Sequence, residues 1–244
     1  MKGIPHHRLL LWKSGRHISI AAFLIFLIAL ILFAIAYAAH LDLAQLFTGM
    51  GVSFVRVVVA YLISLALAIL IALFITRKSS LEDFTLPILD VLQSFPSFAL
   101  LPFIVKIFGH GGFPVVLILI INIIWPILFA LISGIKSLRD DLGEAAMVFG
   151  AASGWKRIWN FTLPGIFPSI ITGSIIGWGE GWEAIAGAEI IAGSSGIGRY
   201  ITEVTNAGAT QLLVLTLVFM LFIVFIVNNW FWLRLLKKVS KWGE

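Results

Sequence analysis

Glu180 and Glu183 stand three residues apart inside an apolar stretch, with Glu189 six residues further on. On a helix, side chains at that spacing are neighbours, and a pair of carboxylates could serve glycoside hydrolysis or hold a metal. Neither chemistry finds its remaining groups: no histidine and no second acidic pair supports them. His6-His7 lies at a basic terminus, where a solvated pair is the simpler reading. Nucleotide chemistry fares no better. Gly150-Ala151-Ala152-Ser153-Gly154-Trp155-Lys156 has glycines and a lysine, but Trp155 breaks the Gly-Lys pair that a phosphate-binding loop needs. Gly193-Ser194-Ser195-Gly196-Ile197-Gly198 follows no predicted strand. With no nucleophile–base pair either, the chain reads as something other than an enzyme, with no cofactor of its own.

The carboxylates then pose a question of solvation. A charge at mid-membrane costs roughly 3 kcal/mol even on lenient insertion scales, so Glu180 and Glu183 must face a cavity, meet a partner or be protonated. Two readings stand: bonds to neighbouring helices, or the lining of a solute pathway. The same alternatives apply to Gln93 and Asn122, single polar residues in apolar runs. Arg56, near the outer end of its span, either snorkels to the interface or meets an anion in a vestibule.

Stepping from residues to the elements that carry them, 60% of the 244 residues are hydrophobic and 12% charged, about half the charged fraction of an ordinary globular chain. Runs of twenty or more apolar residues read as membrane spans. The sequence predicts an all-α polytopic membrane protein with six spans: Ile18–Ala39, Gly51–Thr76, Leu86–Phe108, Pro114–Ile135, Gly165–Ala192 and Thr210–Leu235. The first, too long for a cleavable signal core, is expected to remain as a span. Segment 1–17 precedes it as an interfacial stretch, 18–235 forms one membrane domain, and 236–244 is a basic tail. Fourteen of the 17 Lys and Arg residues fall in the N-terminal segment, the alternate loops and the C-terminus, leaving Arg56, Lys106 and Arg199. The positive-inside rule therefore predicts both termini and the long loop 136–164 to be cytoplasmic. The net charge of +5 speaks of orientation, because no basic stripe with exposed aromatics points to nucleic acid. The absence of cysteine excludes disulfides and thiolate metal sites.

In that loop Asp141 can N-cap a helix, with Glu144 completing a capping-box-like arrangement. The spacing predicts a short helix over 144–149, stopped at Gly150, and Pro164 suits the first turn of the next helix. So short a helix cannot bury Ala145, Met147, Val148 and Phe149 within itself. It lies on the membrane or its own helices, or it docks on another protein. In the fifth span Gly173, Gly177 and Gly181 recur every four residues, a flat face for close helix approach within the subunit or across a dimer seam. Trp178, Trp182 and Glu189 occupy the opposite side.

Glu144-Ala145-Ala146, three residues, Gly150, then Phe161, Leu163 and Pro164 resemble the cytoplasmic "EAA" loop of the membrane subunit of binding-protein-dependent ABC importers. The spacer after Gly150 is one residue longer than the family pattern when Phe161 is taken as its apolar position. The resemblance covers roughly residues 50–235. It implies the type I ABC importer transmembrane-domain fold in the cell inner membrane. It also implies that Asp141, Glu144, Ala145, Ala146, Gly150, Leu163 and Pro164 engage a separate ATPase. The implied partners are two ABC ATP-binding subunits carrying ATP and Mg, a second permease copy as a homodimer, and an extracytoplasmic solute-binding protein.

Pro87, Gln93, Pro96 and Pro102 running on to Phe108-Gly109 resemble the nitrate/sulfonate/taurine branch of these permeases. So does Glu189 followed by Gly196-Ile197-Gly198-Arg199-Tyr200, with isoleucine in place of leucine and Arg199 inserted before the tyrosine. This branch implies a small anion such as a sulfonate or nitrate as solute, and an outer gate or docking rim at Glu189, Gly196, Gly198 and Tyr200. A thiamine- or pyrimidine-precursor importer accommodates Glu180 and Glu183 more naturally. An ion-coupled secondary transporter has only those two residues in its support.

Overall fold

The structure is a computed structural model that describes residues 43–148 and 157–240, together with Leu27 and Leu30. The N-terminal segment, the rest of the first span and Gly150 lie outside the described residues. Among the described residues every element is helical: α1 (Leu43–Ile75), α2 (Ser79–Gln93), α3 (Ser97–Phe108), α4 (Gly112–Val148), α5 (Phe167–Ile191), α6 (Ile197–Asn206), α7 (Thr210–Ile226) and α8 (Leu233–Ser240). The spans Ala44–Ile75, Gly112–Leu138 and Thr210–Val239 are each long and apolar enough to cross a membrane. Two bent pairs are long and apolar enough only when each pair is taken together, α2 with α3 at 80° and Ile158–Gly165 with α5 at 50°.

At the centre lies α4, packed against α1 on one side and α5 on the other. Both neighbours approach it through small residues. On α1, Ala60, Ser64, Ala68 and Ala72 recur every four residues and are fully buried, and Ser64 Oγ donates to the Ile120 carbonyl of α4 at 3.2 Å. On α5 the glycine stripe meets the α4 backbone itself. A Cβ at Gly173 would lie 2.8 Å from Ile127 Cα, and one at Gly177 2.9 Å from the Ile123 carbonyl oxygen. The stripe is therefore a seam within the subunit. Without a hydrophobic driving force between helices in lipid, such close packing is a main source of association. Ile118, Leu119, Ile123, Ile127 and Leu131 of α4 fill the core between the two seams and are fully buried.

Three sequence expectations are revised. The third span is not one helix: the chain turns at Gln93–Pro96, because Pro96 has no N–H for the ladder and disfavours helix at Phe95 before it. Residues 144–148 of the expected short helix are instead the end of α4, which runs unbroken from Gly112 to Val148, and Phe149 lies outside the described residues. Asp141 thus caps nothing. From Lys136 onward Gly143 resists helix most, at about 1 kcal/mol relative to alanine, and the flanking Leu, Arg, Glu, Ala and Met favour it. Third, Pro164 falls in the first turn of a helix as expected, but that helix is a single turn, Leu163–Gly165, and the fifth span's long helix begins only at Phe167. The single turn follows a π-helical stretch, Ile158–Thr162, and Pro168 occupies the first turn of α5. At the other end, α8 carries the last span on through a second π-helical stretch, Val227–Trp232, to Ser240.

Candidate functional site

The break between α2 and α3 opens a cavity of about 270 Å³, lined by Gln93, Phe95, Ser97, Asn122, Trp125, Pro126, Phe129 and Glu180. Trp125 is the middle residue of the span Gly112–Leu138, and Glu180 lies one residue past the middle of Phe167–Ile191. The cavity is thus at the mid-membrane level, where irregular backbone is tolerated only against protein or water. Asn122 spans its wall: its Oδ1 accepts from Ser97 Oγ at 2.9 Å and its Nδ2 donates to the Ile118 carbonyl at 2.8 Å. Pro126, lacking an N–H, leaves the Asn122 carbonyl without its usual helical donor. Gln93 Nε2 donates to Asp90 Oδ1 at 2.7 Å. Among the described residues, no hydrogen bond or ion pair reaches Glu180. Asn122 is therefore an interhelix hydrogen-bond partner that also forms part of the cavity wall. Glu183, one turn beyond Glu180, is exposed and does not line this cavity.

Glu189 and Arg56 do something else. Glu189 is fully buried, and its carboxylate accepts from Ser53 Oγ at 2.8 and 2.9 Å, from Arg56 Nη1 at 2.6 Å and from the Gly198 N–H at 2.9 Å. Arg56 Nη1 also donates to the Ser195 carbonyl, and Nη2 to Ser195 Oγ at 3.1 Å. The Ile197 N–H donates to Ser53 Oγ at 2.8 Å. Arg56 therefore neither snorkels nor waits for an anion. A buried carboxylate needs a cation and donors to offset its desolvation, and Arg56, Ser53 and the Gly198 N–H of α6 supply them. The glycines of this segment are there for space. A Cβ at Gly196 (φ +128°) would collide with the Glu189 carboxylate, and one at Gly198 would lie 2.5 Å from the Ala186 carbonyl oxygen. Tyr200 is buried just behind.

Beside this clamp a second cavity of about 240 Å³ runs between Gln45, Thr48 and Val52 of α1 and Ser195, Arg199 and Glu203. Arg199 Nε pairs with Glu203 Oε1 at 2.8 Å. At the opposite end of the molecule, Lys136 of α4 lies 3.6 Å from the buried Glu82 of α2. Gly165 sits against Leu138, where a Cβ would lie 2.6 Å from Leu138 Cδ2. Leu163 and Pro164 are thereby held to the α4 segment that leads to Glu144. Ser53, Ser195, Ser97 and Phe129 were missed by sequence reasoning. Ser53 alone gave a signal, standing one turn before Arg56 in an otherwise apolar run.

A helical membrane bundle with one helix pair broken around a polar cavity is the build of a polytopic solute permease. Residues 64–241 match the family described as "Binding-protein-dependent transport system inner membrane component", and the chain belongs to that family. It is 28% identical over 168 residues to the taurine transport system permease protein TauC of Escherichia coli, covering 69% of this chain and 61% of that one. It is 30% identical over 178 residues to the nitrate import permease protein NrtB of Leptolyngbya laminosa, covering 71% and 62%. A putative aliphatic sulfonates transport permease protein, SsuC of Bacillus subtilis, is 24% identical over 168 residues, covering 68% and 60%. The chain thus spans about three fifths of these relatives' length. As a family member it is an inner-membrane, multi-pass permease component rather than an enzyme.

Proposed function

We propose that this chain forms the solute pathway of an ATP-driven importer. It would work as two copies with two separate ATP-binding subunits, which carry ATP and Mg, and with an extracytoplasmic solute-binding protein. The observation that carries this reading is the polar cavity at the mid-membrane break of α2 and α3, in a chain of a binding-protein-dependent transport family. Discontinuous helices around a midplane site are a recurrent way for transporters to hold a solute between alternating inward and outward openings. The names of the taurine, nitrate and sulfonate relatives support a small solute with an acidic group. Both termini face the cytoplasm in this reading, as the basic residues argue. The end of α4 with Asp141, Glu144, Ala145 and Ala146, then Gly150 and Leu163-Pro164, engages the ATP-binding subunit. The Glu189 clamp, with Gly196, Gly198 and Tyr200, forms the outer rim.

The test is charge reversal at Glu144. In liposomes holding the complex with its ATP-binding subunits, Glu144→Lys should insert normally yet lose ATP-driven uptake at least tenfold. Full ATP-driven uptake by the variant refutes the coupling role, and uptake by the wild type driven by an ion gradient without nucleotide refutes the importer reading.

A further inference from the structure

The mid-membrane cavity holds an asymmetry of charge that the sequence resemblance alone does not explain. Its lining includes one carboxylate, Glu180, and no lysine or arginine among the described residues. No hydrogen bond or ion pair among those residues satisfies that carboxylate. The donors that an anion would need are in part already committed. Ser97 Oγ donates to Asn122, one Asn122 N–H to Ile118, and one Gln93 N–H to Asp90. Apart from Pro126, the remaining wall is aromatic: Phe95, Trp125 and Phe129. A bare anion entering here meets an uncompensated negative charge in a setting of low dielectric, where repulsion is strong. An ammonium group meets the opposite. It finds a carboxylate to pair with and ring faces that attract cations, tryptophan most of all.

We propose that Glu180 is a specificity-determining residue that selects solutes carrying an ammonium group, seated against Trp125 and Phe129, and rejects bare anions. The inference rests on the pathway reading above and sharpens its solute class, a small solute with an acidic group, to compact zwitterions. At about 270 Å³ the cavity is just below the usual range of roughly 300–1,000 Å³ for ligand pockets, which fits a solute of a few heavy atoms. A zwitterion with an acidic group at its far end reconciles this cavity with a branch whose relatives carry the names of sulfonates.

The experiment measures binding to the permease itself, away from any selectivity of the solute-binding protein. The detergent-purified complex of the full chain with its ATP-binding subunits is titrated with taurine and with ethanesulfonate, which differ by the ammonium group alone, and with choline. The readout is tryptophan fluorescence. Taurine and choline should give a saturable change that Trp125→Phe abolishes, and ethanesulfonate should bind at least tenfold more weakly. Glu180→Gln, nearly the same size, should weaken taurine and choline at least tenfold and bring taurine and ethanesulfonate close together. Ethanesulfonate binding as well as taurine overturns the proposal. So does a Glu180→Gln complex within twofold of wild type, or the absence of a saturable response to both ammonium probes. Any of these, in a complex that still couples ATP hydrolysis to uptake, removes the ammonium selectivity alone. Loss of that coupling in the wild type removes the importer reading instead.

Discussion

Removing the Glu189 carboxylate is the sharpest test of how this end of the bundle is held. Glu189→Ala deletes the acceptor for Arg56, Ser53 and the Gly198 N–H in one step. Arg56, whose side chain is only 14% exposed, is left with the Ser195 carbonyl and hydroxyl. Breaking one partner out of a buried pair costs about 3–5 kcal/mol, a large share of the roughly 5–15 kcal/mol of a typical domain. Arg56→Ala should cost a similar amount, because it strands a carboxylate with no exposure. The double variant strands no charge, so its loss should fall short of the two single losses combined by about 2 kcal/mol, within the usual range for contacting residues. Unfolding of the purified chain by SDS in mixed micelles, followed by circular dichroism, measures all three. Additive losses, or single variants within about 0.5 kcal/mol of wild type, would show that the cluster is not the fastening it looks like.

The α4–α5 seam predicts that Gly177→Ala destabilises by about 1–3 kcal/mol, since its Cβ meets the Ile123 carbonyl at 2.9 Å, whereas Gly179→Ala, with open space around it, should be neutral in the same SDS titration. Equal losses would make the stripe incidental. Membrane orientation can be read by introducing single cysteines at Ser153 and Asn206 into this cysteine-free chain. An impermeant thiol reagent should label them from opposite faces, and labelling from one face refutes the topology. Gly196→Ala should disturb the clamp by about as much as losing one of its hydrogen bonds to a charged group, roughly 1.5–3 kcal/mol, because the new methyl displaces the Glu189 carboxylate. Unchanged stability in that variant would mean that the segment moves aside freely.

Spans and the close-approach face of α5 were legible because apolar run length and a four-residue glycine repeat are local signals. The repeat could not say which helix it met; the structure answers with Ile123 and Ile127. Pairing was less legible. Arg56 and Glu189 stand 133 residues apart, and a span read alone offers an arginine only the nearest water, hence the expectation of snorkelling. The end of α4 misled for a different reason. Asp141 and Glu144 look like a start signal, yet a cap acts only where the preceding residues leave the helix. Leu138, Arg139 and Asp140 do not. The small-residue row on α1 escaped notice because alanine and serine are unremarkable one at a time, and only their shared burial against α4 reveals the row.

Pro126 has a mechanical consequence for α4. From Pro126 to Val148 the helix extends about 33 Å at ~1.5 Å rise per residue, without another proline. Proline is where helices bend, so it marks the natural fulcrum of a stiff arm. A swing of only about 5° there displaces the far tip by about 3 Å at that arm length. The short side of the fulcrum carries Asn122 and Trp125, both in the cavity wall, so the same swing read backwards gives a small, forceful adjustment at the site for a large, gentle one at the tip. The glycine seam of α5 meets α4 at Ile123, Pro126 and Ile127, so the closest backbone contact sits at the fulcrum itself, where a swing moves the helix least.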